Sequence, residues 1–274
     1  MRRFGKQLLA GPYLVWMIGF ILLPLLLVVY YAFTNSAGNF TLANISSIFH
    51  KVHMKSLGLS IKIALQCTVI CLLLSYPLAM ILNKLHVRHQ NFIVFIFILP
   101  MWMNFLLRIL AWQLLLSNNG IINAVLDFFH LPNIYILNTP TAVLFGMVYD
   151  FLPYMILPIY NAMSRIRKDL IEAAQDLGAK NYVIFIRIIL PLTLSGVMSG
   201  IIMVFVPALT SFAISNLLGG GKVLLIGNII EADFMQFFNW NLGAGLSLVL
   251  MVFVIASMAV MNKHSDDAGQ TAVW

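Results

Sequence analysis

Glu172-Ala173-Ala174-Gln175-Asp176-Leu177-Gly178, running on to Ile188-Ile189-Leu190-Pro191, is a polar, amphipathic stretch between two segments apolar enough to cross a bilayer. Its reading decides the fold. Asp169 is placed to cap a helix, with Glu172 three residues later in capping-box register. Leu170, Ala173, Ala174 and Leu177 then fall on one side of that helix, and Asp169, Glu172 and Asp176 on another. Gly178 can take the left-handed conformation that ends a helix. A second short helix over about Asn181–Leu190 is expected to stop at Pro191. The stretch therefore reads as two short helices joined at a glycine, not as a slack connection.

The rest of the chain sets what that element sits on. Of 274 residues, 61% are hydrophobic and 9% charged, with a mean hydropathy of +0.95. An ordinary globular protein has about 45–50% apolar and about 25% charged residues, so a chain this oily has lipid as its main solvent. A membrane-crossing helix needs roughly 20 apolar residues. Six segments meet that length, at about 8–33, 57–82, 91–116, 141–163, 192–217 and 242–261. Each holds a proline or glycine, which bilayer helices tolerate when neighbours satisfy the freed backbone groups. The expected fold is all-α, a polytopic bundle of six transmembrane helices forming one membrane domain over residues 1–274, with 164–191 as its long polar loop.

Charge placement orients it. With a cytoplasmic N-terminus, that side holds Arg2, Arg3, Lys6, Lys84, Arg88, Arg165, Arg167, Lys168, Lys180, Arg187 and Lys263. The other side holds Lys51, Lys55 and Lys222. Basic residues collect on the cytoplasmic side, so both termini and the 164–191 loop are expected there. The same bias accounts for the net charge of +7 without a nucleic-acid partner. Cys67 and Cys71, four apart on one helix, read as packing residues. Amphipathic loops can rest on lipid, but the three acids of this one are repelled by an anionic inner leaflet. An acidic face flanked by arginines and lysines suits a protein groove better.

The loop resembles the EAA signature of permease subunits of ATP-binding-cassette importers: Glu-Ala-Ala, three residues, Gly, nine residues, Ile, one residue, Leu-Pro. Glu172, Ala173, Ala174, Gly178, Ile188, Leu190 and Pro191 match it without departure. Pro100–Arg108, Gly219–Asn228 and Glu172–Gly200 are similar to spermidine/putrescine permeases of the PotB type, and the likeness runs over nearly the whole chain. The resemblance implies a type I importer permease in a bacterial cytoplasmic membrane. Its implied partners are a pair of cytoplasmic ATPases, a second permease subunit that is a different chain, and an extracytoplasmic substrate-binding protein. The implied cargo is a polyamine, and the helix around Glu172–Gly178 is the implied ATPase-coupling element. ATP and magnesium belong to the partner, since this chain has no nucleotide-binding motif. It is expected to bind no cofactor or metal itself and not to be an enzyme.

Ionisable residues inside a membrane are costly and usually functional. Arg108 in the third span and Asp150 in the fourth lie at similar expected depth. Two readings stand side by side. The pair form a structural ion pair, or Asp150 with Tyr154 receives a substrate ammonium while Asn104, Arg108 and Trp112 line the same cavity, Trp112 adding a cation–π contact. The alternatives for the whole chain are a permease of the same type for another small solute, and a secondary transporter. The second would be expected to show an inverted repeat and more membrane carboxylates.

Overall fold

The computed structural model describes residues 11–84 and 99–271. The basic residues Arg2, Arg3 and Lys6, loop residues 85–90 and the head of the third expected span, 91–98, lie outside that range. The helices, in chain order, are α1 (Gly11–Ala32), α2 (Lys51–Lys84), α3 (Phe105–Leu115), α4 (Ile121–Phe128), α5 (Pro140–Ser164), α6 (Lys168–Asp176), α7 (Asn181–Thr210), α8 (Ala213–Gly219), α9 (Ile226–Met235) and α10 (Trp240–Thr271). Among the described residues the only extended pairing is an isolated bridge between Thr34 and Phe40. Among the described residues five helices are long and apolar enough to cross a membrane: α1, α2, α5, α7 and the Trp240–Met261 part of α10.

The differences from expectation have physical causes. Hydropathy locates the apolar part of a helix, not its ends, so α2 begins at Lys51 and α10 runs past residue 261. The described part of the third span is not one helix. A 3₁₀ turn at Leu99–Trp102 precedes Asn104, whose backbone is extended and whose side-chain oxygen accepts bonds from the Leu106 and Leu107 amides at 2.9 and 3.3 Å. Asn104 is thus the N-cap of α3, a helix of 11 residues and about 16 Å. The stretches between the expected spans hold short helices, α4 within 117–140 and α9 within 218–241.

Pro191 does not end the second short helix, contrary to expectation. Proline lacks an N–H and collides with the carbonyl four residues back in a regular α-helix. Here Phe185–Ile189 form a π turn, in which the Leu190 amide bonds the Phe185 carbonyl, and Pro191 follows at once. The wider turn resets the ladder, so the helix continues to Thr210. The same device recurs in α1: Ile18–Leu22 form a π turn closed by the Leu23 amide, directly before Pro24.

The described residues pack as two compact units, those within 1–55 and 229–255 and those within 56–228 and 256–274. In the first, the side-chain amides of Asn44 and Asn241 reach the Thr34 carbonyl at 2.8 and 2.6 Å and also bond the Ala32 and Tyr31 carbonyls. They satisfy acceptors that a helix end leaves open. Residues Gly11–Tyr31 of α1 contribute nothing buried, so this apolar helix presents its surface to lipid or to another chain.

In the second unit α5 is the central post, with Met147, Met155, Ile156 and Ile159 essentially inaccessible. It lies tight against α7 because Gly196 and Gly200 leave room. A Cβ on Gly196 would come within 2.6 Å of the Pro158 carbonyl oxygen, and one on Gly200 within 2.7 Å of the Met155 sulfur. Small residues at i and i+4 allow such close approach in membranes. The Tyr76 hydroxyl meets that of Thr193 at 2.7 Å, tying α2 to α7. Cys67 and Cys71 are buried free thiols with sulfurs 4.0 Å apart, packed on α5 through a contact to the Val148 carbonyl.

Candidate functional site

Two sites lie in this second unit. The first is the α6 turn and the head of α7. Helix α6 starts earlier than its sequence suggests, with Arg167 as N-cap and no side-chain capping bond, so the expected Asp169–Glu172 capping box does not form. Asp169 sits in the first helical turn and is held by Arg167, whose Nε donates to it at 3.1 Å and whose Nη2 makes a second, shorter bond. A two-pronged guanidinium grip competes successfully with a single backbone bond. Those bonds hold the Asp169 carboxyl below the usual carboxylate range.

At the other end, Gly178 has φ +79°. Its amide bonds the Gln175 carbonyl at 2.8 Å, and the Ala179 amide bonds the Ala174 carbonyl at 3.0 Å. That is the paired closure of a Schellman motif, which needs a left-handed residue and hence favours glycine. The helix is a fixed rod, as its sequence suggested. Its faces divide differently. Ile171 and Ala174 are half-buried against the protein, and Ile171 with the more exposed Gln175 lines a cavity of about 310 Å³ with Met163, Ile184, Phe185 and Ile189. Leu170, Glu172, Ala173, Asp176 and Leu177 face out, with Leu177 89% exposed, and Tyr182 and Ile186 of α7 are exposed as well. The expected single apolar side is therefore split: Ala174 packs inward while Leu170, Ala173 and Leu177 form an outer surface beside two acids. Ile188 is half-buried within the π turn, and Leu190 and Pro191 are exposed at its end.

The second site is a cavity of about 410 Å³ near the middle of α5. Arg108, in the first turn of α3, forms an ion pair with Asp150 of α5. Both are buried, at 8% and 5% exposure. A buried charge is tolerated when paired, and this pairing fixes the start of α3 against α5. Tyr154 lies one turn beyond Asp150 and also lines the cavity.

Asn104 and Trp112 are not among the lining residues. Asn104 is spent on the helix cap. Trp112 joins an adjoining aromatic cluster, edge-on to Phe145 at 4.7 Å and to Tyr149 at 5.1 Å. The Arg108 guanidinium carbon stands 5.9 Å from the centroid of that same Tyr149 ring.

Sequence reasoning missed one wall of this cavity. Helix α7 stops at Thr210, Ser211 is extended, and α8 begins at Ala213. Thr210, Ser211 and Phe212 at this break face the cavity. Asn228 holds the break in place, donating to the Phe212 carbonyl at 3.0 Å and to the Asn216 side chain at 2.7 Å. The polar pair Thr210-Ser211, shortly after Pro207 inside the expected span 192–217, was the available signal. Irregular backbone at membrane depth is tolerated where it lines a cavity.

Residues 72–264 match the family described as the binding-protein-dependent transport system inner membrane component. The chain belongs to that family.

The permease is 39% identical to the spermidine/putrescine transport system permease protein PotB of Haemophilus influenzae over 259 residues, covering 90% of this chain and 91% of the relative. It is 38% identical to the PotB protein of Escherichia coli K12, covering 91% and 94%. In fold, the permease matches a chain from the crystal structure of a bacterial ABC transporter involved in the import of the acidic polysaccharide alginate. The TM-score is 0.80 at 18% identity, covering 97% of this chain and 96% of that one. The type I importer architecture implied by the EAA resemblance is thus the architecture of the permease.

Proposed function

We propose that this permease is the membrane subunit of an ATP-driven polyamine importer, one permease domain over 1–274, with both termini and α6 on the cytoplasmic side. The observation that carries the reading is the outer face of α6. Leu170, Ala173 and Leu177 stand exposed beside Glu172 and Asp176 on a helix locked by Gly178. An exposed apolar patch rimmed by charge is the mark of a protein contact. A pair of ATP-binding-cassette ATPases is the partner that fits this face, and ATP with its magnesium resides there. The curated relatives named for spermidine and putrescine cover most of both chains and support the cargo.

In this reading the ATPases, on closing, push α6 as a unit. Because α6 leads through the Gly178 turn into α7, and α7 packs on α5 through Gly196 and Gly200, the push reaches the helices that wall the Arg108–Asp150 cavity. Asp150, Arg108 and Tyr154 are the pathway residues, with Asn104 and Trp112 supporting them from behind. A second, different permease chain completes the pathway, and an extracytoplasmic binding protein delivers the substrate.

The test is uptake of radiolabelled spermidine by cells whose own polyamine uptake is deleted. Uptake is expected only when this chain, an ATPase, a second permease and the binding protein are expressed together. Uptake with the permease alone would make it a secondary transporter. Uptake of another solute in preference to spermidine or putrescine would move the cargo and keep the machine.

A further inference from the structure

We propose that Arg108 is an internal counter-ion that a substrate ammonium displaces from Asp150, the guanidinium moving onto the neighbouring Tyr149–Trp112 cluster. This inference rests on the polyamine reading above, and it assigns the ligand class of the cavity as an organic di- or polyammonium.

Asp150 is the one carboxylate among the residues that line the cavity. At 5% exposure it cannot stay ionised alone, because a buried charge needs a partner. In the resting cavity that partner is Arg108, and the pair is neutral. An incoming ammonium finds the rings of Phe151, Tyr154 and Phe212 on the walls. Aromatic faces attract a cation but do not neutralise it. The full negative charge it needs is already held by the guanidinium, so cation binding and the ion pair compete for one carboxylate.

Arg108 has somewhere to go. Its guanidinium carbon is already 5.9 Å from the Tyr149 centroid, and Trp112 stands edge-on to that ring at 5.1 Å. A side-chain rotation moves the guanidinium from carboxylate to ring, while the Asn104 cap keeps the first turn of α3 wound and the Trp112 contacts to Phe145 and Tyr149 still join α3 to α5. After the exchange the site carries one excess positive charge. That residual repulsion keeps binding weak, which a passage site requires: favourable enough to enter, poor enough to leave. The arrangement also makes the empty cavity neutral, so it does not attract inorganic cations between cycles.

The test is equilibrium dialysis of radiolabelled spermidine against the purified permease–ATPase assembly without binding protein, comparing wild type, Arg108→Gln, Asp150→Asn and the Arg108→Gln/Asp150→Asn double variant. Removing the competitor in Arg108→Gln should tighten binding roughly fivefold or more. Asp150→Asn and the double variant should both weaken it roughly tenfold or more. A double variant that binds like wild type overturns the exchange, as does an Arg108→Gln assembly that binds no more tightly than wild type. Should Arg108→Gln fail to accumulate, the double variant leaves no unpaired charge and still decides. Uptake of spermidine by the unmodified importer is the separate arm. Its absence removes the polyamine reading, whereas the order of the four dialysis values bears on the exchange alone.

Discussion

The outer face of α6 and the cavity beside α5 lie in one packing unit and use opposite physics. On α6 the residues that matter are exposed, short and set by backbone conformation: Gly178 at φ +79°, Ala173, and Leu177 at 89% exposure. In the cavity they are buried, charged and set by side-chain pairing. A surface that must dock rigidly specifies spacing along the chain. A cavity that must let something through specifies which side chains meet from distant helices. The first kind of site resists substitution through geometry, the second through charge.

Five substitutions, one of them a control, sharpen or break that contrast. Gly178→Asp has the largest expected effect. A left-handed backbone costs an L-residue roughly 1–2 kcal/mol, enough to open the turn and tilt α6. Spermidine uptake should fall at least about tenfold, by the energy scale of a misplaced contact, with membrane level unchanged on a blot. Normal uptake would mean that the turn need not be rigid.

Next is Leu177→Asp, paired with Ile171→Asp as its inward control. The outward change should lower ATPase co-purification by roughly tenfold, the scale of an interface anchor, and leave thermal stability alone. The inward change should do the reverse. Equal effects from both would erase the distinction between the two faces of α6.

Asn104→Ala removes the cap of α3 and should cost about 1 kcal/mol, seen as a few degrees in the melting temperature of the purified assembly, with ATPase binding unchanged. The smallest effect belongs to the Arg167–Asp169 pair. Because the folded-state pKa of Asp169 is depressed, its contribution is present above the ordinary carboxylate range and is lost as pH falls through the folded value. Both groups are exposed, so the contribution is small. The melting temperatures of wild type and Asp169→Asn should differ slightly near about pH 7 and draw together as pH falls below the ordinary carboxylate range.

Much of α6 was legible from the chain alone because its signals are local. Glycine at a helix end and a fixed Glu-Ala-Ala to Leu-Pro spacing act within a few residues of themselves. What failed there failed for a tertiary or side-chain reason. Arg167 took Asp169 away from its cap, and the cavity behind Ile171 decided which face of α6 points inward. Pro191 was misread because a proline stop assumes a regular α-helix upstream, and the π turn at Phe185–Ile189 removes that assumption.

The cavity was legible only in part. Arg108 and Asp150 stand out in any apolar sequence because charge in lipid is expensive. That they meet depends on the packing of α3 against α5. The role of Asn104 as a cap depends on a helix break that hydropathy cannot register, since Leu99–Trp102 is as apolar as the helix that follows. The α7–α8 break at Ser211 is hidden in the same way, within a run that hydropathy reads as one span.

The most direct measurement of the central claim is disulfide cross-linking from a Leu177→Cys permease to single cysteines on the ATPase surface, in membranes from cells that transport spermidine. The native Cys67 and Cys71 are buried, so they give little background. We predict a permease–ATPase adduct whose yield changes when ATP is added, and no such adduct from Ile171→Cys. A transporting assembly in which Leu177→Cys gives no adduct with any position on the ATPase, while Ile171→Cys does, would contradict it.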